Sequence, residues 1–202
     1  MLVSMISGKA VAATAKMAIA PSEVADIASG ETFTINVTIS DATNLYGWQF
    51  NITFDPNVLS CEKATEEPFL SSVNTTMYPA PKINNDKGYV MASSLLWVPG
   101  YPPQGVSGSG ILANVTFTVK SGGTTSLHFD SERTYLRTVV FPPPGGDVQA
   151  ITDFSTQDGS FKGTGGGAGL AGIPFEIVAA IVVVVVVVVG VAGAVYLKRR
   201  RQ

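Results

Sequence analysis

Apolar and polar residues alternate with a period of two over three long stretches of the chain. From Thr32 to Ser40, Phe33, Ile35, Val37 and Ile39 are separated by Thr34, Asn36 and Thr38. Between Tyr46 and Phe54, Tyr46, Trp48, Phe50, Ile52 and Phe54 face one way while Gly47, Gln49, Asn51 and Thr53 face the other. From Ile111 to Val119 the apolar set is Ile111, Ala113, Val115, Phe117 and Val119. Successive side chains of a strand point to opposite faces, so each stretch predicts a half-buried strand. Shorter strands are predicted at Ala18–Pro21, Val58–Lys63, Tyr89–Leu96, Thr125–Asp130 with a continuation to Val139, and Ala150–Phe161. Turn-forming groups separate them: Asp41-Ala42-Thr43-Asn44, Asp55-Pro56-Asn57, Asn84 to Gly88, Ser121-Gly122-Gly123 and Pro142 to Gly146. No helical period occurs before residue 176. Many short strands with one apolar face each predict an antiparallel β-sandwich.

The pattern breaks at the C-terminal end, where Ile177 to Leu197 is wholly apolar or small, with valine throughout Val182 to Val189, and Lys198-Arg199-Arg200-Arg201 follows. At ~1.5 Å per residue such a run spans ~30 Å as a helix, the thickness of a bilayer's hydrocarbon core. In lipid the backbone must satisfy its own hydrogen bonds, which overrides valine's weak helix propensity. Residues 176–197 are therefore expected to form a single transmembrane helix, with the basic tail 198–202 cytoplasmic and the rest outside the cell membrane. Residues 1–15 read as a signal peptide ending in Ala13-Thr14-Ala15, truncated at its start because a basic n-region is missing and Lys9 interrupts the apolar stretch. This leaves one domain at 16–162, long enough to bury a core, and a glycine-rich linker at 163–175. Gly167, Gly169 and Gly172 match the spacing of a dinucleotide-binding loop, but no helix of a nucleotide fold follows, so they belong to the linker.

Charge narrows the function. Between Lys16 and Phe175 there are 8 Lys and Arg against 14 Asp and Glu, a balance of 8 − 14 = −6, which disfavours nucleic acid as a partner. The single histidine, His128, lies between Leu127 and Phe129 and so points away from the core. No nucleophile elbow accompanies it, and Ser107 and Ser109 sit in a glycine-rich loop, so a Ser-His-Asp relay is not supported. One histidine and one cysteine cannot ligate zinc. Asn84, Asp86 and Gly88 resemble half of a calcium loop but lack the downstream glutamate, which leaves a turn. Glu66-Glu67, beside Pro68, reads as a solvated pair, and Cys61, in phase with Leu59, as a small core residue. The chain reads as a non-enzyme without a cofactor of its own.

Trp48 alternates in phase with the core, whereas Trp97 and Tyr101 lie in the apolar loop Trp97-Val98-Pro99-Gly100-Tyr101-Pro102-Pro103, which suits either carbohydrate recognition or a cap over the sandwich end. Four glycosylation sequons begin at Asn36, Asn51, Asn74 and Asn114, and the three on strands put the asparagine on the outward face.

Several segments together resemble a cohesin domain, in particular a membrane-tethered archaeal one. They are Gly30 to Val37, the stretch Leu45 to Leu59 with its aromatic-Asp-Pro-x-x-Leu corner at Phe54 to Leu59, Gly108 to Phe117, and the closing Asp158-Gly159-Ser160-Phe161. The resemblance implies a nine-stranded jelly-roll sandwich, related to carbohydrate-binding modules, with one sheet docking a calcium-loaded dockerin on another protein. It implies partner contacts at Gln49 and Asn51, with His128 on a neighbouring strand. A glycan on Asn51 would obstruct that face. No duplicated calcium loop occurs in the chain, so the dockerin, and any calcium, belongs to a partner in trans. The reading is a monomeric cell-surface docking module in polysaccharide breakdown or surface assembly. Direct carbohydrate binding through Trp97 and Tyr101, and a structural envelope role, remain the alternatives.

Overall fold

The computed structural model describes residues 14–97, 104–140 and 147–164. Among the described residues thirteen strands occur in chain order. They are β1 (Ala15–Ala20), β2 (Glu23–Ile27), β3 (Thr32–Thr53), β4 (Leu59–Glu66), β5 (Thr76–Met77), β6 (Lys82–Asn84), β7 (Tyr89–Leu96), β8 (Val106–Val119), β9 (Thr124–Phe129), β10 (Tyr135–Val140), β11 (Asp147–Ile151), β12 (Phe154–Gln157) and β13 (Gly159–Gly163). One helical turn, α1 (Pro68–Ser71), follows β4. The all-β class agrees with the sequence pattern, although short edge strands raise the expected nine to thirteen. The expected transmembrane helix, cytoplasmic tail and most of the signal peptide and linker lie outside the described residues; among those described, no helix is long and apolar enough to cross a membrane.

The 22-residue β3 organises the sandwich. Its first half pairs with β1 and β8, and β8 pairs on with β4. Its second half pairs with β7 and β10, which carry β5, β6 and β11. Toward the two ends of the domain β1 pairs with β12 and β2 with β13, both parallel, and β13 also pairs with β9, which reaches the end of the second half of β3. The segment Asp41–Asn44, predicted as a turn between two strands, is instead a bulged bend within one. Asp41 and Asn44 take left-handed φ of 54° and 52°, and the ladder to β8 shifts register on both sides of Ala42. The backbone amides freed there are collected by side chains: Asp41 N donates to Ser109 Oγ at 3.2 Å and Asn44 N to Ser107 Oγ at 2.9 Å. Ser107 and Ser109 therefore lie in β8, not in a loop, because the bulge needs acceptors opposite it.

Between the layers lies one apolar cluster to which both halves of β3 contribute, from Ile35 and Val37 to Trp48, Phe50 and Ile52, together with Phe117, Phe129, Leu136 and Phe161. Phe33 stacks on Phe161 with ring centroids 4.9 Å apart, and Phe54 meets Phe117 edge-on at 5.2 Å. Trp48 and Cys61 are buried, as their phase predicts. The corner after β3 is set by Asp55, whose carboxylate accepts from Asn57 N at 2.8 Å. Across from it Gly88 has φ of 66°, and an added Cβ would stand 2.0 Å from the Phe54 carbonyl oxygen, so glycine is required. Asn84 Oδ1 accepts from Asp86 N and Lys87 N at 3.1 and 2.8 Å, which spends its oxygen on the turn itself.

Candidate functional site

The outer face of the layer β6–β7–β3–β10–β11 is a continuous surface that a partner could meet without disturbing the core. Strand alternation builds it. On β7 the inward row Val90, Ala92, Ser94 and Leu96 is buried, which turns Tyr89, Met91, Ser93 and Leu95 outward. Register then sets Gln49 between Ser93 and Tyr135, and Gly47 between Leu95 and Arg137. Lys82 and Asn84 of β6 extend the rows beyond Met91 and Tyr89. The Arg137 guanidinium lies 4.9 Å from the centre of the Tyr135 ring, a cation–π contact that holds both side chains on the surface.

In the middle of this face Gly47 floors a recess of about 180 Å³ walled by Ser93, Leu95, Tyr135, Arg137 and Val148. Glycine is needed on its floor because β7 packs close there: a Cβ on residue 47 would meet the Ser94 carbonyl oxygen at 2.9 Å. Its rim is apolar, with Leu95 36% and Val148 44% exposed. At the upper corner Met77 pairs with Leu95, and Trp97, 49% exposed, continues the outward row of β7 with its amide bonded to Thr75 O at 2.8 Å.

The residues expected to meet a partner fare differently. Gln49 does lie on the face, but its amide is held on both sides: Nε2 donates to Arg133 O at 3.0 Å and Oε1 accepts from Tyr135 OH at 2.8 Å. Asn51 is corrected. It lies on the outer side of the sheet but is only 2% exposed, because residues 130–134 fold over it. Its Nδ2 donates to Asp130 Oδ2 at 3.1 Å, its backbone N donates to Thr134 Oγ1 at 3.2 Å, and its carbonyl accepts from Asp130 N at 2.9 Å. In the folded domain this amide is thus engaged and shielded from solvent. His128 is exposed on β9 opposite Thr53, with Nδ1 bonded to Asp158, whose other oxygen accepts from Phe129 N at 2.9 Å. It is tied to the β12–β13 corner rather than to the row of Gln49. Tyr101 lies outside the described residues. The sequence reading missed Leu95, Arg137, Tyr135 and Val148; the alternation Tyr89-x-Met91-x-Ser93-x-Leu95 was the signal that could have located the first.

Beneath the upper corner, Glu66 ties three strands. Its carboxylate accepts from Thr76 Oγ1 at 2.8 Å and from buried Ser94 Oγ at 2.6 Å. Glu67, its neighbour, bonds Asn114 Nδ2. The pair is thus structural rather than solvated. Burial first and the Glu66 charge second push the Tyr78 hydroxyl up to about 12, while it donates to Ala64 O at 2.9 Å. Among the described residues no three His, Cys, Asp or Glu side chains converge as metal ligands.

Comparison with known proteins places this geometry. The family model described as the cohesin domain matches residues 17–141, more than half of the chain, and the protein belongs to that family. Cohesin domains are non-catalytic binding modules. Similar solved structures include the third ScaC cohesin of Acetivibrio cellulolyticus in complex with the ScaB dockerin, with 14% identity, 74% of this chain and 98% of that chain covered, and a TM-score of 0.56. The cohesin CaCohA2 of Clostridium acetobutylicum has 17% identity, coverage of 75% and 91%, and a TM-score of 0.54. A non-cellulosomal cohesin from the hyperthermophilic archaeon Archaeoglobus fulgidus has 16% identity, coverage of 75% and 92%, and a TM-score of 0.51. At these identities the likeness is one of fold. No curated protein sequence matches the chain.

Proposed function

We propose that the domain docks a dockerin-bearing secreted protein through the outer face of β6–β7–β3–β10–β11, held at the cell surface by residues 176–197, in polysaccharide breakdown or surface assembly. The observation that carries this reading is the Gly47 recess: it offers an apolar-rimmed socket among the outward rows of the sheet, and protein interfaces concentrate their energy in a few side chains seated in such pockets. Any calcium belongs to the dockerin. The test is calorimetric titration of the full chain in detergent with dockerin modules encoded in the same genome, with and without calcium. Saturable, calcium-dependent binding is expected, and Leu95→Arg should weaken it by about thirtyfold, ~2 kcal/mol, with an unchanged melting temperature. Binding that ignores Leu95→Arg and Arg137→Glu would place the docking elsewhere.

The half-exposed indole of Trp97 favours a second reading, direct carbohydrate binding. Retention on insoluble polysaccharide that Trp97→Ala abolishes and Leu95→Arg leaves intact would establish it over docking.

A further inference from the structure

The fold treats the four sequons unequally. Glycan transfer uses the asparagine Nδ2, so what matters is whether that atom is reachable and unengaged. Asn51 is buried with Nδ2 on Asp130. Asn114 is laddered between Asn36 of β3 and Thr65 of β4, its Nδ2 is on Glu67, and its Oδ1 is buried without a partner among the described residues. Asn36 is half-buried and its Nδ2 has no partner among the described residues, but its sequon is locked in the sheet, paired with Ala20 of β1 and Asn114 of β8, and the sequon hydroxyl, Thr38 Oγ1, donates to Ala18 O at 3.1 Å. Asn74 alone lies outside the ladders, in the exposed run 71–75 between α1 and β5. Its Oδ1 accepts from Thr75 N at 2.8 Å, which leaves Nδ2 without a partner among the described residues.

We propose that Asn74 is the glycan acceptor of the folded protein and that Asn36, Asn51 and Asn114 stay bare. The chemistry is group transfer from a lipid-linked oligosaccharide. Nδ2 forms a bond to the anomeric carbon and gives up one proton, while the bond from that carbon to the donor's phosphate oxygen breaks and the lipid phosphate leaves with the electron pair. Because Thr75 O holds Trp97 N and Met77 pairs with Leu95, the glycan stands at the upper corner of the docking face, beside its exposed apolar residues. The part of the sheet under residues 130–134, where Asn51 lies, carries none.

This inference rests on the cell-surface reading, so the experiment separates the two. The full chain is purified from the membranes of its own host and mapped by peptide mass spectrometry, and protease is added in parallel to intact cells. A glycan mass on the Asn74 peptide alone is expected. Asn74→Gln and Thr76→Val should each remove it, while Thr76→Ser, which keeps the sequon, should retain it. A bare Asn74 on protein whose domain protease removes from intact cells overturns this inference and leaves the surface reading standing. A bare Asn74 on a protected domain overturns both. A glycan at Asn36, Asn51 or Asn114 overturns the assignment of a single site.

Discussion

Asn51 shows how far a residue's phase along a strand determines its fate. The period of two correctly turned it away from the core, but exposure also depends on what crosses the outer face, and nothing local announces that residues 130–134 lie over it. Removing its amide leaves the half-buried Asp130 carboxylate without that donor, so Asn51→Ala should cost about 1–2 kcal/mol in urea unfolding. Cys61 was legible because its phase with Leu59 is decided by neighbours on the same strand. Burial, then the charge of Glu62, pushes its thiol from 9.0 up to about 12, against a smaller lowering by the hydrogen bond to the Lys63 backbone. The folded state thus holds its proton more tightly than the unfolded chain. The resulting stability is complete below pH 9 and is lost as pH rises toward about 12. Urea midpoints should be flat through neutral pH and fall above pH 9, and Cys61→Ala should reduce that fall. A thiol reagent at pH 8 should label the protein only after unfolding.

Among the elements, the long alternating runs were read correctly because burial on one face imposes the period directly. The continuity of β3 was not legible, since Asp41 and Asn44 carry the same turn chemistry whether the chain reverses or merely bulges. What decides is the partner strand: Ser107 and Ser109 supply acceptors opposite the bulge. Asn44 also spans to the residue just before β8 and to β10, with Oδ1 accepting from Gly105 N at 2.7 Å and Nδ2 donating to Val139 O at 2.6 Å. Asn44→Ala should therefore cost about 3 kcal/mol, from two stranded backbone groups and a left-handed φ that alanine resists. At the β6–β7 turn, Gly88→Ala combines positive φ with a clash into the Phe54 carbonyl and should cost at least about 2 kcal/mol. Thermal or urea denaturation measures both.

At the scale of the molecule, the sandwich was legible from strand number and one-sidedness, and the family resemblance from segments spread along it. The proposed docking face was only half legible: Gln49 lies on it, whereas the recess depends on a glycine whose neighbours come from β7, β10 and β11, far apart in sequence. Residues 1–13 and 165–202, which carry most of the expected signal peptide and all of the expected anchor, lie outside the described residues. On the surface reading, protease added to intact cells should remove the domain and leave a short membrane-protected fragment.

The parallel pairing of β13 with β2, flanked by β9 on its other edge, has a mechanical meaning for a tethered binder. Under the proposed arrangement a docked partner pulls on the layer of β7, β3 and β10, while the restraint enters just beyond Gly163, at the end of β13. Tension drawn along β13 loads its hydrogen bonds to both neighbours in shear, so they share the force and fail together instead of unzipping one at a time. Because β3 belongs to both layers, that load crosses the domain along a covalent backbone as well as through side-chain packing.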